Sequence, residues 1–222
     1  MFLYYITDRR QLSADRDESV RLLLERIRLA AAAEVHAIQL REKDLSAREL
    51  VELGTLAATI VREANAIDRL TQPTRLLINS RVDVAIACGA DGVHLRSDDI
   101  SASEARAIFM RTGAHQALIG VSCHSVREIE SAEAHGADFG VFGPVFGKAG
   151  GQATGVGDLE VACRHRRAAQ PAMPVLALGG VDLSNAQQCI QAGAAGIAGI
   201  RMFQEGNISE TVSQLRKATS TS

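Results

Sequence analysis

The feature that most constrains this chain is a beat. Eight short apolar runs, beginning at Leu3, Ala37, Leu76, Gly92, Leu118, Phe139, Val175 and Gly196, alternate with amphipathic stretches of helical period, and one more such stretch follows the last. Alternation of this kind implies a parallel sheet with crossover helices. Eight units within 222 residues fit an α/β fold of the compact (β/α)8 TIM barrel type, a single domain over residues 1–222. A doubly wound open sheet would alternate in the same way. The strand count, with glycines after the seventh and eighth runs, favours closure.

One junction recurs between helix and strand. Gly89-Ala90-Asp91, Gly136-Ala137-Asp138 and Gly193-Ala194-Ala195 share a Gly-Ala step. Glycine suits the left-handed residue that ends a helix, and alanine lets the chain turn tightly into the next strand. Glu34 stands at the equivalent place in Ala33-Glu34-Val35. A left-handed Glu34 would cost about 1 kcal/mol relative to glycine.

Composition narrows the partners. Hydrophobic residues make up 46% of the chain, Trp is absent and aromatics are scarce, so a large core must be built from Ala, Val, Ile and Leu. The formal net charge of −2 argues against a protein that coats nucleic acid, which would carry a basic excess. Four scattered cysteines, none in a Cys-x-x-Cys pair, argue against zinc and disulfide frameworks and for a reducing, cytoplasmic setting. Met1 runs straight into Phe2-Leu3-Tyr4-Tyr5-Ile6, without the charged and apolar regions of a leader, and no apolar run reaches membrane-spanning length. The expected partners are therefore small molecules.

In barrels of this kind the site lies where strands end. The second run ends in Gln39-Leu40-Arg41-Glu42-Lys43. In an extended strand Gln39, Arg41 and Lys43 share one face, and an amide with two cations makes an anion clamp. The same pattern also describes an edge strand with a solvated face. Other strand ends bring Thr7, Asp8 and Arg9; Asn79, Ser80 and Arg81; His94, Arg96, Asp98 and Asp99; Ser122 and His124; and Lys148. Leu178-Gly179-Gly180-Val181 and Gly196-Ile197-Ala198-Gly199-Ile200 suggest a phosphate site built from backbone N–H groups, or simply tight turns. The Gly-rich stretch at about 143–157 is a candidate lid or a tolerated insertion, and the tail at about 217–222 looks frayed.

Several residues admit two readings. Asp98 and Asp99 suit Mg²⁺, which takes carboxylate and phosphate oxygens, but at least one reads as a cap before Ser101-Ala102-Ser103-Glu104. His94 and His124 are proton shuttles or, more commonly for such positions, hydrogen-bonded structural residues. His36, His115, His135 and His165 fall on helix surfaces or at the opposite end.

Together, Tyr5-Ile6-Thr7-Asp8, Gln39-Leu40-Arg41-Glu42-Lys43, Gly89-Ala90-Asp91-Gly92-Val93-His94-Leu95 with Asp99, Gly120-Val121-Ser122-Cys123-His124-Ser125, Gly143-Pro144-Val145-Phe146 and Leu178-Gly179-Gly180-Val181 resemble the thiamine phosphate synthase family over nearly the whole chain. The resemblance implies a Mg²⁺-dependent transferase. It would join hydroxymethylpyrimidine diphosphate to thiazole phosphate through a dissociative, carbocation-like pyrimidine and release diphosphate. It implies that Gln39, Arg41, Lys43 and Asn79 hold the diphosphate and that Asp99 binds Mg²⁺. Ser122 would meet the pyrimidine, and Lys148 would help neutralise the leaving group. Gly180, Gly199 and Ile200 would hold the thiazole phosphate.

Three positions depart from the family pattern. Ser80 stands where the family usually has an Asp, a second metal ligand. Gly147-Lys148-Ala149-Gly150-Gly151 replaces a Pro/Thr-rich segment, and Arg201 replaces a small residue and adds a candidate phosphate contact. These departures keep two other readings open. One is a thiazole tautomerase-type paralogue, which needs no metal or diphosphate clamp. The other is a non-catalytic sensor of a phosphate ligand.

Overall fold

A computed structural model describes residues 1–67, 72–147, 153–166 and 172–219. Eight strands close into a barrel in chain order: β1 (Phe2–Ile6), β2 (Ala37–Leu40), β3 (Arg75–Asn79), β4 (Gly92–Leu95), β5 (Leu118–Cys123), β6 (Phe139–Phe142), β7 (Val175–Ala177) and β8 (Gly196–Gly199). Neighbouring strands are parallel, and β8 returns to pair with β1. The helices are α1 (Arg16–Ala32), α2 (Ala47–Ile67), α3 (Val82–Cys88), α4 (Ala102–Arg111), α5 (Val126–Ala134), α6 (Gly155–Arg166), α7 (Ala186–Gln191), α8 (Arg201–Gln204) and α9 (Ile208–Thr219). The closed barrel replaces the open-sheet alternative. β1 and β3 begin one residue before their apolar runs, because Phe2 N bonds to Ala195 O and Arg75 N to His36 O, which carries the ladder one step further.

The strands are apolar throughout because both faces are buried. Alternate residues point inward, and Tyr4, Ile6, Ala37, Leu77, Phe139, Val141, Leu176 and Ala198 form one cluster inside the barrel. The intervening residues, among them Leu3, Ile38, Leu40, Ile78, Val93 and Ile119, pack against the helices. Glycine is required at Gly120, where a Cβ would lie 2.3 Å from the Phe139 ring and 2.8 Å from His94 Nδ1. The bare backbone therefore makes room for two inward rings.

The recurrent junction works as expected and does more. Gly89, Gly136 and Gly193 all have positive φ, and so does Glu34, at 57°. Arg216 reaches both the carboxylate and the carbonyl of Glu34, which helps hold that residue in its costly conformation. The Asp that follows two of the glycines has its own task. Asp91 Oδ2 accepts from Leu76 N at 2.8 Å, and Asp138 Oδ2 accepts from Ile119 N at 2.7 Å. Each carboxylate thus satisfies a donor at the start of the preceding strand, on the face away from the strand ends. Among the described residues no helix is long and apolar enough to cross a membrane.

Candidate active site

At the carboxyl end of the barrel, β2 supplies an inward amide. Gln39 Nε2 donates to Asn79 Oδ1 at 2.8 Å, and Asn79 Nδ2 donates to Ser80 Oγ at 3.2 Å. Gln39 Oε1 is buried with no hydrogen-bond partner among the described residues. It is an acceptor held ready beside the row. Ser80 has φ of 60°, a left-handed conformation that costs a residue with a side chain about 1 kcal/mol or more. Its N–H bonds to His94 O at 2.8 Å, extending the β3–β4 ladder to the rim.

β2 stops at Leu40, and Lys43 lies in the turn beyond it. The strand alternation that relates Gln39 to Arg41 therefore does not carry through to Lys43. Arg41 is half-buried and close enough for its charge to bear on His94, whereas Lys43 is exposed. Both are carried by one segment, and that segment is tied down from behind. Thr7 Oγ1 accepts from Arg41 N at 2.9 Å and donates to Glu42 Oε1 at 2.6 Å. Glu42 also accepts from the Arg9 backbone N–H and guanidinium, and the same guanidinium grips both oxygens of Asp44 at 2.7 and 2.8 Å. Hydrogen bonding to Arg9 holds the Asp44 carboxyl down to about 2. Burial raises that of Glu42, against the pull of Thr7 and Arg9. Sequence reasoning placed Thr7 and Arg9 at the rim but gave Glu42 no part. The available signal was an acid inside a basic run, alternating with the cations.

A second row runs across the barrel interior. The Tyr4 hydroxyl lies 3.1 Å from His94 Nδ1, and His94 Nε2 lies 2.9 Å from Ser122 Oγ. Burial, with the charge of Arg41 second, drives the His94 pKa down to about 3, so the ring is neutral. His124 is structural, its Nδ1 bonding to Gly143 O at the root of the Gly-rich loop.

That loop is pinned to its neighbour. Val145 N and Phe146 N bond to Leu178 O and Gly179 O at 2.8 and 2.9 Å, and Thr154 Oγ1 donates to Pro144 O. A Cβ on Gly180, whose φ is 67°, would lie 2.1 Å from Phe146 O. Backbone meets backbone here, and only glycine permits it. Lys148 lies outside the described residues. Gly199 ends β8, and Ile200 and the exposed Arg201 open α8 directly from it. The strand ends therefore place Gly180, Gly199, Ile200 and Arg201 on adjacent loops of the same mouth.

The acidic residues resolve differently from expectation. Asp98 pairs with Arg96, and Asp99 Oδ2 accepts from Arg96 N at 2.7 Å, closing a turn. Neither caps the helix. Ser101 does, in a capping box with Glu104. Among the described residues no group of three or more His, Cys, Asp or Glu side chains converges as a metal site. On the loops after β3 and β4 the rim offers the Ser80 hydroxyl and one half-exposed carboxylate, Asp99. An oxygen-only set with a single carboxylate fits Mg²⁺ as an ion shared with substrate phosphates and water, not as one caged by protein.

The family model for thiamine monophosphate synthase matches residues 3–203. A protein of Geobacter sulfurreducens named putative thiamine-phosphate synthase is 43% identical over 202 residues, covering 88% of this chain and 83% of its own. The thiamine-phosphate synthase of Methanoculleus marisnigri is 37% identical over 190 residues, 85% of this chain and 84% of its own. The solved structure of thiamine phosphate pyrophosphorylase from Pyrococcus furiosus superposes with a TM-score of 0.77 at 30% identity, covering 99% of this chain and 95% of that one. The chain belongs to the thiamine monophosphate synthase family.

Proposed function

We propose that this mouth joins hydroxymethylpyrimidine diphosphate to thiazole phosphate, giving thiamine phosphate and diphosphate. The carbon–oxygen bond to diphosphate breaks first, and the thiazole nitrogen then closes on the resulting cation. The observation that carries this reading is the anchored basic segment, Arg41 to Lys43, beside the Gln39–Asn79 pair. Heterolysis builds negative charge on the leaving group, so fixed cations and donors stabilise the transition state more than the ground state. Lys148 is assigned to the same leaving group by the family resemblance. Ser122 faces the pyrimidine, and the Gly180 and Gly199–Arg201 loops take the thiazole phosphate through backbone N–H groups.

Mg²⁺ held through Asp99 and the diphosphate oxygens would supply further neutralisation of the departing charge. Ser80 is a weaker oxygen donor than the family's usual Asp. We place the reaction in the cytoplasm, in keeping with buried free cysteines at 88, 123, 163 and 189. The tautomerase-type and sensor readings are not favoured, because the relatives carry the synthase name.

The deciding experiment supplies both substrates with and without Mg²⁺ and assays thiamine phosphate. Metal-dependent product is expected. Isomerisation of a thiazole carboxylate phosphate alone, or binding without turnover, would replace this reading with one of the others.

A further inference from the structure

The buried row under the mouth has a direction that its chemistry determines. Tyr4 is fully buried in the apolar barrel interior, and His94 Nδ1, at 3.1 Å, is the one hydrogen-bond partner of its hydroxyl among the described residues. His94 Nε2 in turn meets Ser122 Oγ at 2.9 Å. The rings of Tyr4 and Phe139 flank the imidazole, and the missing side chain of Gly120 leaves it just enough room. The imidazole is neutral, so it carries a single N–H.

Two arrangements satisfy those distances. In the first, Tyr4 donates to Nδ1, Nε2–H donates to Ser122 Oγ, and the serine proton is left for the mouth. In the second, Ser122 donates to Nε2, Nδ1–H donates to Tyr4, and the phenol proton has no acceptor in an apolar interior. A buried donor left unmade suffers its full desolvation penalty, while an unused lone pair on a phenol is tolerated more cheaply. The first arrangement therefore prevails.

We infer that Tyr4, acting through the tautomer of His94, fixes Ser122 as a hydrogen-bond donor toward the mouth, so that the substrate atom meeting Ser122 is an acceptor such as a ring nitrogen. Tyr4 is a positioning residue that never reaches substrate itself. Naming the substrate atom rests on the synthase reading, but the hydrogen direction does not. A site built to donate rejects a ligand that presents an N–H at this point, because two donors would face each other.

The test uses the full chain labelled with ¹⁵N-histidine, the His94 signals being assigned by their absence from His94→Asn. A proton bonded to Nε2 with a bare Nδ1 is expected in the wild type, and a mixture of tautomers in Tyr4→Phe. A wild-type proton on Nδ1 overturns the inference, and this holds even if Tyr4→Phe fails to fold. A kinetic cycle adds a second arm. Tyr4→Phe is expected to lower kcat/KM about tenfold, the size of one neutral hydrogen bond, but to have less than about a twofold effect in a Ser122→Ala background. Equal losses in both backgrounds would make Tyr4 merely structural and overturn the inference. A wild type that forms no thiamine phosphate defeats the synthase reading alone, and the spectrum still decides the hydrogen direction.

Discussion

Arg9 and Glu42 meet inside the protein at 3.0 Å, with side chains only 4% and 1% exposed. The pair stands behind the segment that carries Arg41 and Lys43. Through Thr7, which bonds to both Glu42 and the Arg41 amide, it fixes where β2 stops and where Arg41 begins. Glu42→Gln leaves the Arg9 guanidinium with Asp44 alone and takes the charged acceptor from Thr7 Oγ1 and the Arg9 amide. It is therefore expected to reduce unfolding free energy by about 2 kcal/mol, read from urea denaturation. A loss below about 1 kcal/mol would mean the pair behaves like a surface contact, and the backing argument would fail.

The front of the same segment should govern rate more than stability. Arg41→Ala and Lys43→Ala each remove a cation that the proposed reaction sets against a departing diphosphate. Each should raise the barrier by roughly 2–4 kcal/mol, by analogy with losing one charge-stabilising donor. Arg41 is held close to His94 while Lys43 projects from a turn, so the Arg41 variant should be the more severe. Turnover unchanged in both variants would take the clamp out of the reaction.

Ser80 offers a test of the metal. It occupies a left-handed conformation, which Asp tolerates better than most residues. Ser80→Asp should therefore fold and should restore a second carboxylate at the rim. The expected outcome is a lower Mg²⁺ concentration for half-maximal product formation. An unaltered Mg²⁺ dependence would place residue 80 outside the ion's ligand shell.

The barrel was legible because its signal is local and repeated. Strands buried on both faces read as short unbroken apolar runs, and the Gly-Ala junction marks where three of the helices give way to a strand. The rim residues were legible as types at strand ends. What could not be read were their partners. Strand alternation puts Glu42 on the face opposite Arg41 and Lys43, but only the fold reveals that Thr7 and Arg9 meet it there. Asp98 and Asp99 misled for a similar reason. Their nearest donor is the neighbouring Arg96, not the helix that follows. Tyr4, His94 and Ser122 come from three different strands, so no sequence spacing could have shown that they form one row.

Gly180 lies on one of the two loops proposed to hold phosphate and packs against the β6 loop. A methyl group there would press on Phe146 O, and its positive φ would strain any side chain. Gly180→Ala must shift the β7 loop away from the β6 loop, and so is expected to raise KM for thiazole phosphate several-fold while changing KM for the pyrimidine diphosphate little. The two apparent constants can be measured with the other substrate saturating. Equal changes in both would show that the substitution disturbs the barrel generally.

Acid stability should depend on a histidine at the far end of the barrel. His36 Nδ1 accepts the Leu3 N–H at 3.3 Å, and its ring stacks on Phe2 at 5.2 Å. A proton on Nδ1 would face a donor. Burial, with the N-terminal ammonium and Arg216 adding repulsion and Glu34 opposing them, lowers its pKa from 6.5 to about 4. The unfolded chain therefore binds a proton here that the folded chain refuses. This contribution to stability is complete above about pH 6.5 and is lost as pH falls toward 4, by at most ~3 kcal/mol. His94, lowered to about 3, adds a loss of the same sign over an overlapping range. The two separate in His36→Asn, whose Oδ1 keeps the acceptor for Leu3 without titrating. Thermal unfolding followed from pH 7 to pH 4 should show a shallower decline in that variant than in the wild type. Parallel curves would mean that His36 takes up its proton in the folded barrel as readily as in the unfolded chain.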